Sequence, residues 1–382
     1  MLYINSSTIY TDNVIWGMIE LGMEVEYSRV VAELDAVDGD KVDLLVKELQ
    51  DFDMAFSQNF SATVAKACKL TGKPYISWTY DSPLVALYRK EALYDTNYCF
   101  MFDKRECERL WSLGINTVYH MPLAANIQRV KTVQGLHSLK YNYDISFVGQ
   151  IYTSPLYDVI KQGAPEFMIK HVDDVINRLC CRYDGESFFN TLYDNEVEAI
   201  YQIIDQTGFD EHSFDKRFVI EDLLFATSIA GRDRITILNE SAKHFKTKLI
   251  TRESEKYKDL IKADISGPVD TDDMYRIFAS SKINLNMTLR SIETGIPQRV
   301  MDIMSVGGFV LSNYQQEMDE LFAIDKELVT FKNLEEYVDK AGYYLTHDDI
   351  RRDIARRGYE RVCRDYNYKT LLTKMINTVY KG

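Results

Sequence analysis

The chain has 382 residues, room for two ordinary domains, and 46% of them are hydrophobic, enough for buried cores. With 45 basic against 58 acidic residues the net charge is −13, which opposes tight non-specific binding to nucleic acid. A mean hydropathy of −0.26 and no uninterrupted apolar run near the ~20 residues of a membrane span predict a soluble, cytoplasmic protein without a transmembrane segment.

In chain order, MLYINSSTIYTDNV reads as a first strand and loop rather than a leader. LYIN is followed by DNVIWGMIELG, MEVEYSRV by GDKVDLLVKELQ, and MAFSQNF by SATVAKACKLTG. PYISWTY, YCFMFD with KRECERLWSLG, and TVYHMPL continue the alternation of strand-like and helix-like segments. Such succession predicts a parallel, doubly wound sheet over residues 1–126. Right-handed crossovers gather the strand C-terminal ends along one edge, where ligands bind. Asn5, Gln58, Asn59, Tyr80, Asp81 and His120 fall near those ends.

Residues 127–142 are polar and weakly patterned, as in a linker. YDISFVG restarts a strand, with Gly149 placed for a turn at its end. Helical runs dominate 152–231, an insertion or an enlarged first crossover, and strand–helix alternation returns from KTKLIT onward. The second domain is expected over 143–365, with a terminal helix at 366–382 packing back toward the first domain.

The stretch Ile283–Tyr314 (INLNMTLRSIETGIPQRVMDIMSVGGFVLSNY) carries the richest pattern. Val300, Ile303, Met304 and Gly307 follow the spacing of a buried helix stripe, which leaves Gln298, Arg299 and Asp302 together on the other side. Pro297 suits a first helical position, and Gly295 lets backbone approach a ligand closely. Arg299 is a cation in a first turn, where the helix dipole disfavours it and a bound anion would offset the cost. A solvated polar helix face is the competing reading.

PQRVMDIMSVGGFVLSNYQQEMDELF resembles the donor-site segment of GT-B glycosyltransferases, in particular the spore-maturation-protein (CgeB-like) group within the family 1-like enzymes. The resemblance extends to DDIRRDIARRGYERVCRDYNYKTLL, ISWTYDSP, FMFDKRECERLWSLGI and YDISFVGQIY, and is weakest over 152–231. It implies two Rossmann-like domains facing a cleft, the second binding a nucleotide sugar and the first an acceptor. In that family a carboxylate at the position of Asp302 holds the ribose hydroxyls, a diol that suits an acceptor-only group. Many relatives carry glutamate there and another eight residues earlier, where this chain has Thr294, with Glu293 one place off. That departure weakens a retaining mechanism. Arg299 and Gln298 are the candidates for the diphosphate, since arginine's planar donors match phosphate oxygens. Arg234, in GRDRITILN, corresponds to a recurrent arginine of the group, and Asn286, Gly149 and Gly295 are expected to line the same pocket.

Asp81, on a loop after a strand, is the candidate general base of an inverting transfer, with a helix cap or an acceptor contact as the alternatives. His120 is the rival base, or a satisfied core histidine. The DxD spacings within Asp38–Asp40, Asp51–Asp53 and Asp270–Asp273 border helices and turns, so they read as caps rather than metal ligands. The six cysteines (Cys68, Cys99, Cys107, Cys180, Cys181, Cys363) form no CxxC pair or cysteine–histidine set, as expected of reduced structural thiols, and give zinc no support. Six arginines between Arg351 and Arg364 are a solvated face or, as the lesser reading, a peripheral membrane contact. The function expected is metal-independent transfer of a sugar from a nucleotide sugar, UDP-linked by preference, to a hydroxyl of a glycan or protein. No cofactor beyond that co-substrate and no nucleic-acid partner are expected. The alternatives are a nucleotide-sugar epimerase on the same fold and a degenerate binding subunit.

Overall fold

The computed structural model describes residues 1–5, 11–31, 37–136, 140–205 and 216–381. The predicted linker lies outside these at 137–139, and the predicted insertion at 206–215. The chain forms two compact units, Met1–Lys131 with Thr294–Met301 and Arg361–Gly382, and Thr132–Glu293 with Asp302–Glu360.

The first unit runs β1 (Leu2–Asn5), α1 (Thr11–Glu20), β2 (Glu26–Val31), α2 (Gly39–Glu48), β3 (Ala55–Gln58), α3 (Ala62–Thr71) and β4 (Tyr75–Trp78). It continues through β5 (Asn97–Met101), α4 (Lys104–Ser112), β6 (Val118–His120) and α5 (Ile127–Thr132), whose last residue falls in the second unit. All six strands are parallel, in the order β2-β1-β3-β4-β5-β6. β3 and β4 are buried on both faces, as interior parallel strands must be, whereas the edge strand β2 exposes Glu26, Tyr27, Arg29 and Val31. The chain builds to one side of β1 and then the other, so the switch point lies between β1 and β3. Asp38 caps α2 by accepting from Lys41 N at 3.1 Å, which gives that DxD aspartate an ordinary structural role.

The second unit contains β7 (Tyr143–Val148), α6 (Pro155–Gly163), α7 (Glu166–Leu179), α8 (Asp194–Asp205), α9 (Lys216–Glu221), α10 (Thr227–His244), β8 (Thr247–Ile250), α11 (Ser254–Tyr257) and β9 (Asp264–Ser266). Then follow α12 (Thr271–Ala279), β10 (Ser281–Asn286), α13 (Gln298–Ser305), β11 (Val310–Asn313), α14 (Gln316–Leu321), β12 (Val329–Phe331), α15 (Leu334–Thr346) and α16 (Asp348–Asp365). The division between units falls within α13 and within α16, and α17 (Tyr368–Lys381) belongs to the first unit, where it packs on α1. Gly17 permits that approach, because a Cβ there would lie 2.7 Å from Leu372 Cδ1.

The second sheet is also parallel, ordered β12-β11-β10-β7-β8-β9. Counted from β7, this is the Rossmann order, with the switch point between β7 and β10. Its core is Ile145, Phe147, Leu249, Ile283, Leu285 and Leu311. Helices α6 to α10 enlarge the β7–β8 crossover around a separate apolar cluster of Met168, Val172, Ile176, Leu224 and Phe225. The insertion predicted to end at 231 runs unbroken into α10. Two Rossmann-like α/β units are therefore present, consistent with the GT-B fold that the sequence predicts.

The arginines of α16 are largely neutralised along the helix. Arg356 pairs with Asp353 and Glu360 at 2.7 and 2.6 Å, Arg357 with Asp353 at 2.7 Å, and Arg364 with Asp365 at 2.9 Å. Arg351 is buried on Tyr344 O and Asp348. Among the described residues no helix is long and apolar enough to cross a membrane.

Candidate functional site

In the second unit, the residues proposed for donor binding meet the switch point from three elements. Gly149 follows β7 and donates its N–H to Ile250 O at 3.0 Å. A Cβ here would stand 2.8 Å from Phe147 Cζ, so a side chain at this position would have to displace its own strand's aromatic ring. Asn286 ends β10, and its amide nitrogen donates to Ser312 Oγ at 2.9 Å and Thr288 Oγ1 at 3.1 Å. Asn313 Oδ1 accepts from Thr288 N at 2.7 Å, so the β10–β11 end is tied by side chains. Asn286 thus spends its amide N–H groups on this lattice, a role its position did not announce.

Arg234 comes from α10 and is buried. Its guanidinium donates to Gln150 O, just after β7, and to Met287 O, just after β10, the latter at 2.5 Å. One side chain therefore bridges both lips of the switch point. It lies against Tyr152 at 4.6 Å and Phe147 at 5.3 Å. Burial lowers its pKa, yet a guanidinium stays protonated, so a positive charge is fixed at this edge. Among the described residues, Arg234 Nε and the buried Thr251 Oγ1 after β8 have no hydrogen-bond partner. Buried polar atoms of that kind ask for a polar ligand or water.

Helix α13 departs from the amphipathic expectation. Val300, Ile303 and Met304 are buried as the stripe predicts, but so are Gln298, Met301, Ser305 and Asp302, the last at 0% exposure. Only Arg299 of the polar trio is half-exposed, so the trio is not a solvated face. A carboxylate is held at zero exposure only where hydrogen bonds compensate the lost water. Gly307 lies beyond the helix, not on its stripe: at φ +70° it forms a left-handed stop, with Gly307 N bonded to Met304 O and Gly308 N to Ile303 O, both at 3.0 Å. Pro297 sits one residue before the helix, and its carbonyl accepts from Val300 N.

Within the first unit the segment leading to α13 is anchored by Asp103, which sequence reading overlooked. Asp103 is 1% exposed, N-caps α4, and accepts from Ser82 Oγ at 2.9 Å and Thr294 Oγ1 at 2.8 Å. It also accepts from the N–H groups of Thr294 and Arg105, both at 3.2 Å. Thr294 occupies the place where relatives were expected to have glutamate, and a second carboxylate would face Asp103 there. A Cβ on Gly295 would meet Asp103 Cα and Phe102 O at 2.9 Å, so the glycine permits a close backbone approach to the chain just after β5. Gln298 Nε2 likewise donates to Ala124 O at 2.9 Å.

The other functional edge of the first unit surrounds its own switch point. Gln58 Oε1, at the end of β3, accepts from Tyr3 and Thr11 hydroxyls at 3.1 and 3.3 Å. Asn59 has φ +59°, a left-handed geometry that asparagine tolerates. From there its Oδ1 accepts from Tyr80 N and its Nδ2 donates to Asp81 Oδ2, both at 2.8 Å. Asp81 is exposed and caps no helix, which removes the cap alternative; the short helical turn that follows is led by Leu84. Tyr80 bonds the Tyr368 hydroxyl at 3.2 Å, and burial raises its pKa well above normal. His120 ends β6, half-buried. Asp81 is thus an ionisable oxygen held at a strand end and open to solvent, a geometry suited to taking a proton from a hydroxyl. Asn59 gave one signal in sequence, an asparagine just past a buried strand.

Comparison with known proteins agrees with this architecture. The model of a family described as glycosyl transferase-like matches residues 226–377. A search among curated proteins finds no match. Among solved structures the chain is similar to a glycosyltransferase from Rickettsia africae (11% identity, TM-score 0.54, covering 100% of this chain and 97% of that one). It is also similar to sucrose-phosphate synthase from Thermosynechococcus elongatus (8%, 0.55, 100% and 98%). A third similar structure is an α-glucosyltransferase in complex with UDP and a 13-mer DNA (10%, 0.54, 99% and 98%). At such identities the likeness is one of fold: the chain has the two-domain fold of GT-B type, and its glycosyl transferase-like match covers the part beginning at Ala226.

Proposed function

We propose that this protein is a glycosyltransferase that takes a sugar from a nucleotide-sugar donor, UDP-linked by preference, and delivers it to a hydroxyl of a glycan or protein. The observation that carries the reading is Arg234, a buried cation joining the β7 and β10 lips of a Rossmann switch point, inside the stretch that matches the glycosyl transferase-like family. A diphosphate is the anion such an edge accommodates, and the UDP in one structure of the same fold supports the choice of nucleotide.

In this reading Asp302 receives the ribose hydroxyls, while Arg299 and Arg234 stabilise the negative charge that grows on the departing diphosphate. Asp81, oriented by Asn59, takes the proton of the acceptor hydroxyl. The acceptor oxygen bonds to the anomeric carbon as the bond from that carbon to the phosphate oxygen breaks, and the nucleoside diphosphate leaves. The fixed cations make a metal unnecessary for that departure. By its motifs the chain resembles the CgeB-like group, and cytoplasmic residence is part of the same proposal. Incubation with a panel of nucleotide sugars, following free nucleoside diphosphate, tests the reading. Slow release of nucleoside diphosphate, accelerated by a suitable acceptor, is the expected result. Sugar isomerisation without release indicates an epimerase, and absence of binding indicates a non-catalytic subunit.

A further inference from the structure

A second polar cluster of the second unit lies on the neighbouring residue of α10. Leu179–Arg182 form a tight turn closed by Arg182 N donating to Leu179 O at 3.2 Å. Cys180 has φ −58° and ψ 128°, and Cys181 has φ +54°. These are the central positions of a type II turn, the second of which normally belongs to glycine. A cysteine side chain in a left-handed conformation is strained, and strain of this kind gathers at functional sites. Its consequence is local: adjacent side chains that would diverge on extended backbone converge, and the two sulfurs lie 3.8 Å apart.

Asp233, from α10, faces the pair. Its Oδ1 accepts from Cys181 N at 2.5 Å, and its oxygen and both sulfurs lie within 4.8 Å of one another. Arg290 holds Oδ2 at 2.8 Å, donates to Arg182 O and Leu179 O at 2.8 and 3.0 Å, and covers the Tyr183 ring at 4.2 Å. The carboxylate is thereby fixed by one oxygen, while Oδ1 has a lone pair left besides the one used by Cys181.

We propose that Cys180, Cys181 and Asp233 form a binding site for a thiophilic divalent cation of the zinc type. Two Zn–S bonds of ~2.3 Å at a tetrahedral angle span ~3.8 Å between sulfurs, which is the spacing present here. Binding breaks two S–H bonds, forms two metal–sulfur bonds and releases two protons to solvent. The cluster's net charge is therefore unchanged: Asp233 and Arg290 balance before and after, and the thiolates balance the ion. Water completes the fourth position. The spacing was invisible in sequence because the third ligand stands on another helix.

Cobalt(II), a spectroscopic stand-in for zinc, tests the site in the full reduced chain, followed by zinc competition. One equivalent with cobalt–thiolate charge-transfer absorption is expected, displaced by zinc. Cys180→Ser should reduce that absorption, and Cys181→Gly should weaken zinc binding at least about a hundredfold, the upper end of what loss of an outer-shell partner costs. Glycine relieves the left-handed strain and offsets the loss of a small buried side chain, so Cys181→Gly should fold, and its metal-free melting temperature is the reference for its own zinc response. Zinc should raise the melting temperature of the parent but not of either variant. Absence of thiolate absorption in the parent, or its persistence undiminished in both variants, overturns the assignment.

Discussion

Asp81 and Asp302 are both aspartates assigned to one reaction, and their surroundings separate their tasks. Asp302 is fully buried, so its replacement is felt in binding. Asp302→Asn should weaken UDP affinity by about 1–3 kcal/mol, the scale of a charge-assisted hydrogen bond, with the fold retained by circular dichroism. Unchanged affinity by calorimetry removes it from the nucleotide site. Asp81 is exposed, with Asn59 Nδ2 at 2.8 Å, so Asp81→Asn should leave UDP affinity and melting temperature alone while turnover falls at least about a hundredfold. Asn59→Gly keeps the left-handed backbone but loses the orienting amide, and should lower turnover by a smaller factor. Equal turnover in all three proteins would mean that another group takes the proton. Asp81 was legible because a carboxylate between a strand and Ser-Pro had to lie at the strand-end edge. Asn59 was legible by its place at a strand end but not by its partners, Tyr80 and Asp81, and Asp103 was not legible at all, because its partner Thr294 is distant in the chain.

At the scale of elements, α13 shows what periodicity does and does not reveal. The apolar spacing identified the helix and its buried stripe. It could not say that the polar side would be enclosed too, since burial of Gln298 and Asp302 depends on elements outside the helix. Gly307 fits the stripe by number but serves as the stop, at φ +70° with open space around an added Cβ. Gly307→Ala should therefore destabilise by about 1 kcal/mol through backbone strain alone, lowering the urea midpoint without changing the slope. No loss indicates that the turn relaxes. Arg234 belongs to this scale as well. The match to a recurrent arginine of the family did not announce its two carbonyl partners, which make it a clamp between the ends of β7 and β10.

At the scale of the whole molecule, the alternation of strands and helices predicted two parallel sheets, and both are present with switch points at β1/β3 and β7/β10. Strand order itself was not legible, because a crossover's side of return leaves no trace in local pattern. Magnesium or manganese should not raise turnover above the metal-free rate, since two DxD aspartates, Asp38 and Asp270, cap helices. A strict requirement for either ion would return a carboxylate pair to the mechanism.

The central claim is that a nucleotide diphosphate binds at the β7/β10 edge. Hydrogen–deuterium exchange with and without saturating UDP measures this directly. The account predicts protection of the backbone at Gly149–Tyr152, at Met287–Arg290 and along α13. Protection confined to the outer strands β9 and β12, or none at saturation, would contradict it.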